Sequence, residues 1–404
     1  MKSAAKFSAD EKMIIAILTF VNFSHVMDFV IMMPLAPRMI RIFEISSTQF
    51  GFLLSSYTFS AGAMGFLSAF FLDRFDRRKA LLFFFSGFGI ATLLCAISPD
   101  YPTLLMARTT TGAFGGVLNS ICLAIIADKI SLDRRATAIG MLMLGFSLAS
   151  VFGLPFGLYL SNIYDWHAPF MLLGGVSCVA LIFVFKFIPP MTEHLKAARR
   201  THRDIFTSVT RDPNKILALI FMGCIILGQF SVISFLSASM VANNGLSEEQ
   251  LPLIYLVGGL CSIVSSPLAG HLSDRFGKKR LFYIGAVASL APILILTHTQ
   301  TLPLYVLLLI SCSFFITMSA RIIPAQTIVT STVNIAERGG FMSFVSSAQN
   351  FSSAIASLLA GAIIFIEPGT GKLLHYNYVG YLACGFTFTA ILIATRLRSV
   401  EGKI

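Results

Sequence analysis

The sequence predicts an all-α membrane protein whose twelve spanning helices form two pseudo-symmetric six-helix bundles, and three observations carry that prediction. The first is composition: 56% of the 404 residues are hydrophobic and 12% are charged, with a mean hydropathy of +0.81. Soluble domains carry about 25% charged residues, so a single water-soluble core is excluded. The second is that runs of roughly 20 mostly apolar residues, enough to cross a bilayer, recur from end to end. The third is a loop motif that appears twice, 201 residues apart, at matching places along the chain.

The candidate spans are residues 13–36, 49–71, 80–98, 103–127, 137–162, 168–189, 215–240, 250–272, 281–298, 302–330, 341–366 and 377–395. An isolated span must satisfy its backbone polar groups internally, so each is read as a helix. The first is too long for a signal peptide and lacks a small-residue cleavage site, so it reads as a span that also directs insertion. All seven cysteines (Cys95, Cys122, Cys178, Cys224, Cys261, Cys312, Cys384) fall inside apolar runs without paired spacing. They read as small buried side chains, not as disulfides or metal ligands.

With the N-terminus inside, the inner segments take nearly all the basic residues: Arg74 to Lys79, Asp133 to Arg135, His194 to Asp204 and Arg275 to Arg280. The outer loops then hold only Arg38, Arg41 and Lys372. The positive-inside rule therefore places both termini in the cytoplasm. The net charge of +11 is a topology signal and a contact for anionic lipid headgroups, not a nucleic-acid patch.

The longest polar segment, residues 190–214, separates an N-terminal bundle (1–189) from a C-terminal one (215–404) and reads as a cytoplasmic linker lying along the membrane surface. The repeat supports the division. "LDRFDRRKALLFF" (Leu72 to Phe84) follows the second span and "SDRFGKKRLFYIG" (Ser273 to Gly285) follows the eighth. Parallel repeats of this kind are the layout of alternating-access carriers, which place the substrate site near mid-membrane.

These residues resemble the major facilitator superfamily, and the likeness covers the whole chain. The family's loop signature, G-x-L-a-D-R-x-G-R-[RK], is matched in the second copy by Gly270, Leu272, Asp274, Arg275, Gly277, Lys278 and Lys279. The first copy keeps Asp73, Arg74, Arg77 and Arg78 but has Ala69 and Asp76 at the glycine positions. In the family this loop is a conformational latch, its aspartate meeting a helix N-terminus, where a carboxylate is favoured by roughly 0.3–1 kcal/mol. Asp76 replaces a residue that tolerates positive φ. The fourth span, "LLMARTTTGAFGG" (Leu104 to Gly116), resembles the L-x-x-x-R-x-x-Q-G-x-G of proton-coupled families, with Thr111 for Gln and Phe114 for Gly. The fifth, "GFSLASVFGLPFG" (Gly145 to Gly157), is similar to the antiporter signature G-x-x-x-G-P-x-x-G, with Leu154 inserted between Gly153 and Pro155. Gly157 ends that motif, and Pro155 is expected to kink the helix by removing a backbone bond. The resemblance implies a drug:proton antiporter or a related sugar-efflux permease.

Among the 19 acidic residues, Asp28 alone sits well inside a predicted span. Intramembrane ionisable groups are costly and by default mark ion or substrate pathways. A carboxyl moved between a dry and a wet setting binds a proton in one and releases it in the other. Asp28 is therefore the candidate proton-coupling group. His25 and Asn22, three and six residues earlier, are expected on its helix face, which makes His25 a second proton-coupling candidate and Asn22 a substrate-binding one. The bland alternative makes Asp28 the structural partner of a buried arginine. Arg108 matches the signature arginine that the resemblance implicates in proton transfer; its alternative is snorkelling to the interface. Arg321 lies deeper in its span and matches no general signature. It faces a wet cavity and invites an anionic substrate, or pairs with Asp28, or bonds backbone carbonyls. Tyr57, Asn119, Gln229, Gln349 and Asn350 are weaker substrate-site candidates, because amides and hydroxyls also join helices inside membranes.

The expected function is thus a secondary active transporter, a proton-coupled exporter of small amphipathic molecules working by alternating access. A facilitator or symporter for a sugar, organic anion or other metabolite is the alternative. No Walker loop, H-E-x-x-H or G-x-S-x-G motif occurs, so neither a nucleotide-driven pump nor an enzyme is expected. No cofactor or metal is expected, no nucleic-acid partner, and a monomer is the expected state.

Overall fold

A computed structural model describes residues 7–192, 195, 202–334 and 338–400. Eleven of the helical stretches among the described residues are long and apolar enough to cross a membrane. In order the helices are α1 (Ala9–Ile31), α2 (Ala36–Ile42), α3 (Ser47–Phe71), α4 (Arg77–Ala96), α5 (Tyr101–Lys129), α6 (Leu132–Leu148), α7 (Leu154–Ile163) and α8 (Ala168–Phe187). There follow α9 (His202–Arg211), α10 (Pro213–Ala242), α11 (Leu251–Phe276), α12 (Lys278–His298), α13 (Leu304–Ser331), α14 (Arg338–Ile363) and α15 (Tyr376–Arg396). The 26-residue α14 lies where the eleventh span is predicted.

Helix ends depart from the hydropathy pattern for identifiable reasons. α1 begins four residues early, because a reciprocal cap starts it: Ser8 N–H donates to Glu11 Oε2 (2.8 Å) and Glu11 N–H to Ser8 Oγ (3.1 Å). It stops at Ile31, before Pro34, and the short α2 fills what reads as loop. Between α6 and α7 the backbone takes a π turn over Ala149–Gly153, with Leu154 N–H reaching back to Ala149 O. Pro155 has no N–H to continue the ordinary ladder, so the expected disturbance of this span is present one turn ahead of it. The eleventh span was expected to run to 366. The helix ends at Ile363, and β1 (Phe365–Ile366) instead pairs antiparallel with β2 (Leu373–Leu374). A three-residue apolar run cannot by itself choose between helix and strand.

The chain forms two compact units, Met1–Ile31 with Ser60–Arg200, and Met32–Phe59 with Thr201–Ile404. The first is centred on Leu18, Phe85, Phe88, Leu118, Ile121 and Ile125, all fully buried. The second is centred on Phe221, Phe282, Ala325, Ile328 and Val345. In both, large apolar residues such as Ile182, Phe185, Val264 and Leu309 are exposed, which suits a surface bathed in lipid. Segment 32–59, which the repeat assigns to the first bundle, packs with the second unit. There Arg38 Nη2 (2.8 Å) and Arg41 Nη1 (2.6 Å) grip Glu248, and Thr48 Oγ1 donates to Gly361 O (3.1 Å).

Candidate functional site

Asp28 lies three residues before the end of α1 and is fully buried. Arg108 of α5, also fully buried, donates from Nη1 to Asp28 Oδ2 at 2.7 Å and to the Asp28 carbonyl at 3.1 Å. Thr92 of α4 donates to the other carboxylate oxygen at 3.3 Å. Three helices thus meet on one carboxylate. Arg108 also lies 6.0 Å from the ring centroid of Phe170 in α8. Thr111, which stands at the signature glutamine position, sits one turn beyond Arg108, donates to Ala107 O (2.8 Å) and touches Cys95 Sγ (3.7 Å). An ion pair this dry depends on close geometry and on further hydrogen bonds to its members, and Thr92 supplies one of these to the carboxylate. Arg108 does not snorkel; its side chain turns inward to the acid.

The pairing decides an open question. Asp28 and Arg108 are each other's partner inside the first unit, so the alternative pairing of Asp28 with Arg321 is not the one made. Arg321 of α13 donates to Thr387 Oγ1 of α15 (2.9 Å) and Ser289 Oγ of α12 (3.4 Å). It is 1% exposed, its Nε has no hydrogen-bond partner, and no carboxylate pairs with it among the described residues.

Other candidates scatter. Asn22 does not share the Asp28 face: its Nδ2 donates to Leu142 O of α6 at 3.1 Å. Six residues at about 3.6 per turn carry it well round the helix from Asp28, so it joins helices instead of lining the same site. His25, three residues before Asp28, is half-buried. Tyr57 is buried. Gln349 Nε2 points to Gln326 Oε1 at 3.5 Å, and Asn350 is half-buried. Asn119 Oδ1 and Gln229 Oε1 are buried acceptors with no partner among the described residues. Gly153 and Gly157 make room for Met27 and Ile31 of α1: an added Cβ would fall 2.7 Å from Met27 Sδ or 2.6 Å from Met27 Cε. With Phe23, Phe156, Pro169 and Leu173 they border a small apolar cavity of about 90 Å³.

The two loop motifs take different forms. In the first, Asp76 has φ −55° and caps α4, accepting from Lys79 N–H (3.0 Å) and from Met191 N–H (2.9 Å). Arg77 is buried against Asp128 (3.3 Å), Arg78 bonds the Phe185 carbonyl, and Arg74 is exposed. The Asp73 side chain lies outside the described residues. In the second, Gly277 turns with φ +93°, Asp274 and Arg275 are exposed, and Lys278 opens α12 half-buried. Sequence reasoning missed Thr92, Ser289, Thr387 and Gln326, since a hydroxyl or amide in an apolar run gives no sign of what it bonds.

Comparison with known proteins accords with this architecture. Residues 18–237 and 218–403 each match the family model of the Major Facilitator Superfamily. A "Probable sugar efflux transporter" of Helicobacter pylori is 23% identical over 356 residues, 86% of this chain and 90% of the relative. The MFS-type transporter YceJ of Bacillus subtilis is 23% identical over 371 residues, 91% of this chain and 92% of that protein. In structure the chain is similar to a bacterial homologue of the human lysosomal transporter Spinster, with TM-score 0.76, 16% identity and coverage of 98% and 100%. It is likewise similar to the nucleoside transporter NupG, with TM-score 0.74, 13% identity and coverage of 96% and 99%. Spanning helices, a doubled loop motif and a match along the whole length lead to one conclusion: this chain is a multi-pass membrane transporter that belongs to the Major Facilitator Superfamily.

Proposed function

We propose that the chain is a proton-coupled exporter of small amphipathic molecules, in which Asp28 binds and releases the coupling proton. The observation that carries this reading is the buried group of Asp28, Arg108 and Thr92. Arg108 at 2.7 Å favours the ionised carboxylate, while burial favours the protonated one. If α1 or α5 shifts so that the 2.7 Å contact opens, the same carboxylate loses its counter-charge and takes up a proton. Protonation and helix movement are then two sides of one equilibrium. His25, three residues before the acid on α1 and half-buried, is the relay toward solvent. The efflux relative in Helicobacter pylori supports the outward direction.

Both termini face the cytoplasm of a bacterial inner membrane in this reading, and α14 completes the set of twelve spans. Residues 1–189 and 215–404 rock as two bundles around a linker, with loops of Asp73, Arg74, Arg77, Arg78, Asp274, Arg275 and Lys278 as the inner latch against anionic lipid. The transporter works as a monomer. Substrate is held by Tyr57, Asn119, Gln229, Gln349 and Asn350, of which Asn119 and Gln229 keep an open acceptor for a substrate donor. A second reading, carriage of an organic anion, is favoured by Arg321 and its wholly neutral partners.

Proteoliposomes with an imposed pH gradient test the coupling. Wild-type protein should accumulate substrate against its gradient, whereas Asp28→Asn should still exchange substrate but lose gradient-driven accumulation. Wild-type accumulation by the Asn variant would end the proposal.

A further inference from the structure

We infer that Arg321 receives a carboxylate of the transported molecule, which makes the substrate class an amphipathic monocarboxylate. The inference rests on reading the chain as a small-molecule carrier, and it deepens the organic-anion alternative. It starts from a contrast inside the protein. Arg108 is buried and meets a carboxylate, a hydroxyl-held one, at 2.7 Å. Arg321 is buried as deeply and meets two hydroxyls. Both hydroxyls already spend their own hydrogens on helix carbonyls: Ser289 Oγ donates to Ala286 O at 2.7 Å and Thr387 Oγ1 to Ala383 O at 2.8 Å. Each therefore offers Arg321 only a lone pair, and neither offers charge. The guanidinium Nε, with no partner among the described residues, remains open. Guanidinium groups bind carboxylates through two parallel N–H donors, and such charge-assisted bonds are roughly twice as strong as neutral ones.

The helix that supplies the acid in the first unit is its first long helix. In the second unit α10 opens the bundle, and at its closest approach to Thr387 it presents Gly228, whose Cβ would lie 3.3 Å from Thr387 Oγ1. The hydroxyl that Arg321 leans on is thus faced by a residue with no side chain. No acid stands within the α10 helix at all. A carboxylate arriving from a ligand supplies what the chain omits there. Its hydrocarbon remainder suits the apolar residues of these spans, and its charge is matched by a cation that no protein carboxylate neutralises among the described residues.

Equilibrium binding to the purified full chain in detergent tests this without any gradient, so it fails or succeeds independently of proton coupling. Octanoate is the probe, with octanamide and octylamine as the neutral and cationic controls. Octanoate should bind roughly tenfold or more tightly than octanamide. Arg321→Gln should erase that preference, and Arg321→Lys should keep part of it. Arg321→Lys guards against simple misfolding, because it keeps the buried charge. Gly228→Asp adds a carboxyl beside Thr387, with its Cβ 3.3 Å from Thr387 Oγ1 and 3.0 Å from Ala383 O, so α10 and α15 must part slightly; where that protein stays folded it should abolish the octanoate preference. Equal binding of octanoate and octanamide to the wild type overturns the inference. So does an octanoate preference that survives in Arg321→Gln or in a stable Gly228→Asp protein.

Discussion

α5 and α13 are the fourth long helices after the start of their respective halves, and each carries one buried arginine into an apolar interior. Around Arg108 the protein supplies an acid, a hydroxyl on that acid and an aromatic ring. Around Arg321 it supplies two hydroxyls and, among the described residues, no carboxylate. The difference teaches that a charge inside a membrane protein is not one kind of feature. Paired, it is a rigid internal strut whose rupture is expensive and therefore informative for a coupling mechanism. Left with neutral partners, it is a charge that no protein carboxylate offsets among the described residues. The loop motifs repeat the lesson on a smaller scale, since Asp76 and Gly277 occupy the same motif position and turn the chain by different means.

The largest effect should come from breaking the strut. Arg108→Gln leaves Asp28 buried without its counter-charge, a loss of about 3–5 kcal/mol for pairs of this kind. Asp28→Asn should be of the same order, because it strands the guanidinium. The double variant Asp28→Asn with Arg108→Gln should recover most of the stability. Chemical or thermal unfolding of the three proteins in detergent measures the coupling, and simple additivity of the two single changes would show that the pair is not an energetic unit. Arg321→Gln gives the contrast. It strands no acid and should change stability by only about 0.5–1.5 kcal/mol, the scale of ordinary neutral hydrogen bonds.

The loops come next. Gly277 holds φ +93° with ψ 138°, a region that side chains rarely enter, so Gly277→Ala should cost about 1–3 kcal/mol. At the equivalent place Asp76 has φ −55° and acts through its side chain. Asp76→Ala should cost about 0.5–2 kcal/mol by removing an N-cap, with the tie to Met191 lost as well. Unfolding midpoints of the two variants decide between them. If Gly277→Ala is silent, the second loop relaxes more freely than its glycine suggests.

Much of this was legible in the sequence, and the gaps have physical causes. Asp28 and Arg108 stood out singly because charges are rare in apolar runs. Their union did not, because the partner of a long side chain is chosen by which helices touch, and Arg108 could equally have reached for the interface. Asn22 was misplaced by stepping three residues at a time: one step from Asp28 stays near its face, two steps leave it. Thr92, Ser289 and Thr387 gave no signal, since threonine and serine in spans mostly bond their own helix, as Thr387 does with Ala383. Glu248 lies in what reads as a loop, yet it gathers Arg38 and Arg41. Helix ends failed where a polar cap starts the helix before the apolar run, as at Ser8 and Glu11. Composition, the spans and the repeat needed no tertiary knowledge, and those carried the fold.

The smallest expected effect also separates α5 from α13, at their first turns. α5 opens on Asp100, which accepts from Thr103 N–H (2.9 Å) and Thr103 Oγ1 (2.6 Å), and whose own N–H points to Thr103 Oγ1 (3.4 Å). α13 opens on Pro303, with no side-chain cap. The hydroxyl and then the backbone N–H of Thr103 hold the Asp100 carboxyl below its ordinary range. A carboxyl with a folded pKa lower than its unfolded one stabilises the fold above the unfolded value, and that contribution fades as pH falls through the folded one. The window is therefore acidic, below about pH 4. Amide hydrogen exchange of residues 101–107, corrected for the intrinsic pH dependence, should show protection falling on acidification, while residues 304–310 of α13 hold theirs. Asp100→Asn should flatten the response of α5. If the two helix starts respond alike, the ionised cap contributes nothing at α5, and the difference between these two arginine-bearing helices is confined to their interiors.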